Sequence, residues 1–104
     1  MICCSDIMAL VADWHGISIE SLPDRSRLRK FVYPRQEAMF LCRTMIREGT
    51  GRPLSLVTIG RRFGNRDHTT VISAIRAIEK RMADPECRRD VDSLSVSVLL
   101  TEGI

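Results

Sequence analysis

Apolar residues return along this chain every three or four positions, the spacing that lines one face of a helix. Ile7, Leu10, Val11 and Trp14 form the first stripe, with Ser5-Asp6 as a cap before it and Gly16 as a stop after His15. Trp14 is expected to anchor the core, and His15 to sit favourably at the carbonyl end of this helix. Ser18 to Leu22 reads as a short capped turn closed by Pro23. Pro34 is expected at the first position of the next helix, where proline is favoured; Ala38, Leu41, Cys42 and Met45 make its inward stripe. Gly49-Thr50-Gly51-Arg52-Pro53 is the clearest loop. Ser55 then caps a short helix carrying Leu56, Ile59 and Phe63. Gly64-Asn65 tolerates the left-handed backbone that ends a helix. Asp67 or Thr69 can cap the successor, whose stripe is Val71, Ile75, Ile78 and Met82, with Ile72 beside it. Asp84-Pro85 opens a last helix on Cys87, Val91, Leu94 and Val98, its acids expected to point outward. The pattern predicts an all-α fold: a compact helical bundle with a helix-turn-helix, one domain over residues 1–104.

Net charge is only +3, but its distribution is uneven. Residues 1–24 hold four acids and no Lys or Arg. Residues 25–81 hold fourteen Lys/Arg against four acids, and residues 82–104 hold two against five. The helix-turn-helix therefore lies inside a positive field, which attracts a phosphate backbone. No apolar run approaches the ~20 residues that span a bilayer. No basic leader precedes the first apolar residues, so a signal peptide is not expected.

The four cysteines show neither a disulfide framework nor the paired spacing of a zinc site. Cys42 and Cys87 fall on apolar stripes as small core residues; Cys3 and Cys4 are expected at a mobile terminus. Asp67-His68 with Ser73 nearby is a poor catalytic set, because chain neighbours rarely form a working base and orienter. No enzyme activity, cofactor or metal is expected.

The stretch Gly64-Asn65-Arg66-Asp67-His68-Thr69-Thr70-Val71 resembles the signature of the DNA-binding domain IV of the bacterial replication initiator DnaA, usually Gly-Gly-Arg-Asp-His-Thr-Thr-Val. Seven of eight residues match, and the similarity runs from about Ile7 to about Leu100. The resemblance implies a Trp-repressor-like bundle that reads duplex DNA at DnaA-box-like sites. It implies base reading by Arg27 (in the minor groove), Val57, Asp67, His68, Thr69 and Ile72. It implies backbone contacts by Arg35, Gln36, Arg43, Leu56, Arg66, Thr70 and Arg76. Tyr33 and Val57 stand where the family has arginine and proline, and the 49–53 loop is longer than the family's. The chemistry suits these roles: an aspartate accepts from a cytosine amino group, and a threonine methyl packs on thymine.

The chain holds no G-x-x-x-x-G-K-[ST] phosphate loop, so ATP hydrolysis by that route is not expected. A self-contained monomer is expected, cytoplasmic and nucleoid-associated, that regulates replication initiation or transcription without membrane contact. The alternative is a protein-interaction module that modulates the initiator or other replication proteins through its acidic first helix and Leu99, Leu100 and Ile104.

Overall fold

The computed structural model describes residues 2–102, which form five α-helices with no strand among them. They are α1 (Cys4–His15), α2 (Arg29–Met45), α3 (Leu56–Arg62), α4 (His68–Arg81) and α5 (Pro85–Glu102), with a 3-10 turn at Ile19–Ser21. The longest inner helix, α2, packs on each of the other four. Ile7, Val11, Leu41, Ile59, Phe63, Val71, Ile78, Leu94 and Val98 meet at its sides as one buried core.

Most of these elements form where the periodicity places them, and their ends have local causes. Gly16 ends α1 in the left-handed region at φ 66°. Ser55 Oγ accepts the Thr58 amide at 3.1 Å and starts α3. Asp84 Oδ1 accepts the Glu86 amide at 3.0 Å before Pro85 opens α5. The 49–53 loop is the tip of a small hairpin in which Arg47 and Pro53 pair, the Glu48 amide donates to Arg52 at 2.8 Å, and Gly51 takes φ 84°.

Six expectations are corrected. The cap of α1 is Cys3, not Ser5-Asp6; Asp6 lies inside the first turn and accepts the Cys3 amide at 2.9 Å. Cys4 is buried in the core rather than mobile. Helix α2 begins at Arg29, five residues before Pro34. A proline there forfeits one backbone bond, yet Tyr33 packs against the core and draws the upstream turn into the helix. Trp14 is 48% exposed, and its indole N–H donates to Asp90 Oδ1 at 3.2 Å. Asp90 is half-buried, engaged by Trp14 and Tyr33 rather than pointing outward, and His15 pairs with the buried Glu37 rather than serving the helix end alone. Ile104 lies outside the described residues.

Candidate nucleic-acid interface

The turn between α3 and α4 is set by backbone contacts that exclude larger residues. Phe63 closes α3 and is fully buried. Gly64 (φ 82°) and Asn65 (φ 58°) then reverse the chain. The Arg66 amide donates to Gly60 O at 2.8 Å, and a Cβ on Gly60 would lie 2.1 Å from Arg66 O. A Cβ on Gly64 would lie 2.4 Å from Pro23 O, so the turn also presses against the segment that precedes α2.

Asp67 caps α4, its Oδ1 accepting the Thr69 amide at 3.2 Å. The same oxygen is 2.9 Å from His68 Nδ1. Asp67, His68, Thr69 and Thr70 are all exposed at the helix start. Thr69, Ser73, Arg76 and Lys80 continue as an exposed line along α4, while Val71, Ala74 and Ile78 face the core. Ile72 is half-buried beside that line, and Val57 of α3 is 51% exposed.

The basic segment 22–28 is held by two arginines, Arg35 of α2 and Arg66 of the turn. Arg35 is only 6% exposed; its guanidinium donates to Leu22 O at 2.7 Å, Ser26 O at 3.0 Å and Ser21 O at 3.2 Å. Arg66 donates to Asp24 O at 2.6 Å, Pro23 O at 3.3 Å and Phe63 O. Burial pulls both guanidinium pKa values down from the usual range, and for Arg66 the neighbouring charges of Arg35 and Arg25 act the same way. Arg25 adds a bond to Gly64 O at 3.3 Å. Segment and turn are thereby joined, with Arg27 exposed on the outside. A groove of about 480 Å³ runs between them, lined by Arg27, Asn65, Asp67 and Thr70 among others. A smaller one of about 170 Å³ brings Gln36 beside Thr70 and Ser73.

The residues expected from sequence thus divide. Arg27, Gln36, Asp67 and Thr70 line these grooves, and His68, Thr69 and Arg76 are exposed on the same helix. Three of the arginines expected on the DNA backbone donate to protein carbonyls in this structure. Arg35 and Arg66 hold carbonyls of the 21–26 segment, and Arg43 Nη1 donates to Leu54 O at 2.7 Å, tying α2 to the end of the hairpin. Leu56 packs, partly buried, against the core. Ser73 is the position that sequence reasoning missed for this face. Its signal was available: it follows Thr69 by four residues.

A short helix, a glycine turn and a second helix with an exposed polar start define a helix-turn-helix protein of the DNA-binding class. The family model described as "Bacterial dnaA protein helix-turn-helix" matches residues 4–78, and the chain belongs to that family. It is 45% identical over 87 residues to chromosomal replication initiator protein DnaA 1 of Chlamydia trachomatis, covering 84% of this chain and 18% of that protein. It is 40% identical over 90 residues to the DnaA protein of Ruegeria pomeroyi, covering 86% and 18%. A crystal structure titled as a DNA replication initiation factor superposes with TM-score 0.76 at 30% identity, covering 90% of this chain and 27% of that one. The chain spans less than a fifth of the length of these curated relatives.

Proposed function

We propose that this domain binds double-stranded DNA sequence-specifically, as a monomer, at sites like the box read by DnaA. In this reading it acts in the regulation of replication initiation or transcription. The observation that carries the proposal is the groove shared by Arg27 with Asp67 and Thr70. A duplex can present its major groove to the start of α4 while Arg27 reaches the neighbouring minor groove. Asp67, His68 and Thr69 read base edges, with Val57 and Ile72 supplying apolar contact to thymine methyls. Gln36, Thr70, Arg76 and Lys80 hold phosphates, and the main chain of Leu56 can add another. The relatives are named chromosomal replication initiators, which supports the replication context.

Fluorescence anisotropy on a labelled DnaA box and on its shuffled sequence, across a salt series, tests the proposal. Preference for the box by ~10³-fold or more at physiological salt is expected. Equal binding of both duplexes would show a basic surface without sequence reading, and no binding to either would end the DNA reading altogether.

A second reading, a protein-interaction module for replication proteins, draws on Val96, Leu99 and Leu100, exposed at 55%, 59% and 66% on α5. Charge reversal of the exposed Arg27 and Arg76 separates the two. Only DNA binding should collapse.

A further inference from the structure

Away from the basic face, three helices bring a different chemistry together. His15 ends α1, Glu37 lies in α2 and Asp90 lies in α5. One donor atom from each falls within 4.8 Å of the others. His15 Nε2 is 2.8 Å from Glu37 Oε1. Glu37 is wholly buried, and its second oxygen, Oε2, has no hydrogen-bond partner among the described residues. A buried carboxylate with a bare oxygen is costly unless something positive meets it. Two carboxylates and one imidazole meet here, and the nearby guanidinium of Arg81 lies over the Tyr33 ring, 4.5 Å from its centroid.

We propose that His15, Glu37 and Asp90 form a binding site for a divalent cation of the zinc type. One imidazole nitrogen and two carboxylates are a donor set such a cation accepts, with its fourth position left to water. Ligand bonds of about 2.0–2.2 Å hold donor atoms closer together than the widest spacing here, so the site tightens modestly on binding. The cation takes the place of the proton between His15 and Glu37 and meets the bare oxygen. The surroundings orient the ligands as outer partners do in metal sites. Tyr33 Oη donates to Asp90 Oδ2 at 3.2 Å, and Trp14 Nε1 donates to Asp90 Oδ1 at 3.2 Å. The Tyr33 ring meets the His15 ring edge-on, with centroids 5.5 Å apart. A surface cavity of about 170 Å³ reaches Asp90, lined also by Tyr33, Cys87, Asp84, Glu86 and Arg81. The bound cation would pin α1, α2 and α5 at one point.

The test uses the whole chain, stripped with EDTA and titrated with zinc chloride or cobalt chloride. A rise in Tm saturating at one equivalent of zinc is expected, together with a cobalt spectrum of nitrogen and oxygen ligands. Asp90→Asn and His15→Gln, the latter keeping an N–H for Glu37, should abolish the Tm rise. Tyr33→Phe should weaken zinc binding by about tenfold while leaving the ligands in place. If a ligand variant proves unfolded by circular dichroism, the Tyr33→Phe comparison decides. A Tm that zinc does not raise, a rise unchanged in the variants, or thiolate-to-cobalt charge transfer would each overturn the site. Magnesium, which prefers oxygen ligands and keeps its waters, should give no rise.

Discussion

Oδ1 of Asp67 accepts the Thr69 amide and lies close to His68 Nδ1, so one carboxylate oxygen serves the helix start, and the proposed DNA reading assigns the other to a base edge. The two duties can be separated. Asparagine caps a helix as well as aspartate, so Asp67→Asn should leave Tm nearly unchanged while altering the preferred base. Asp67→Ala should also cost about 1 kcal/mol of stability, the usual value of a lost cap. Chemical denaturation and binding selection on a randomised box measure the two effects; a large stability loss in Asp67→Asn would contradict the division. For the neighbours, His68→Ala or Thr69→Ala should relax discrimination by ~1–3 kcal/mol per lost base contact without unfolding the protein. These exposed positions were legible because a helix start is a local feature: a cap residue, a glycine break before it and an apolar stripe after it. Ser73 was missed because its lone hydroxyl carries no signal except its distance from Thr69.

At the scale of elements, Arg35 ties α2 to the segment before it, and Arg66 and Arg25 tie that segment to the turn before α4. A guanidinium suits this work because its fixed fork of donors can meet several carbonyls at once. Arg35→Ala should cost about 2 kcal/mol or more, since it strips buried carbonyls of a charged donor. Amide exchange over residues 21–28 should quicken in the same variant. The salt slope of DNA binding should barely change, because Arg35 holds protein rather than phosphate. Arg76→Ala should do the reverse, leaving Tm near wild type and lowering the slope by roughly 0.9. A flattened slope in Arg35→Ala at unchanged stability would restore it to the DNA backbone. The turn is equally exacting. Gly60→Ala must move Arg66 O and should cost about 1–3 kcal/mol, as overpacking does, which thermal unfolding will show.

Across the whole molecule, α2 joins two faces of opposite character. On one side it carries Gln36 and the buried Arg35 toward the basic segment and α4; on another it carries Glu37 toward His15 and Asp90. The fourteen cations of residues 25–81 are not equivalent. Arg35, Arg43 and Arg66 are engaged with carbonyls, so a count of charge overstates what is free to meet phosphate.

The sequence alone determined the five helices, most of their core stripes and the helix-turn-helix. Helical period, caps and glycine breaks act within a few residues, and the signature from Gly64 to Val71 is continuous. It also placed the exposed start of α4. The tertiary structure decided what the long polar side chains do. Arg66 meets a carbonyl 42 residues away, and Trp14 meets a carboxylate 76 residues away. It decided that α2 starts at Arg29, because packing of Tyr33 outweighs the proline signal five residues on. It brought His15, Glu37 and Asp90 to one point from three helices. A local pattern reports which face of a helix is apolar. It carries no information about which distant carbonyl or carboxylate will stand opposite an arginine, a tryptophan or a histidine once the helices pack.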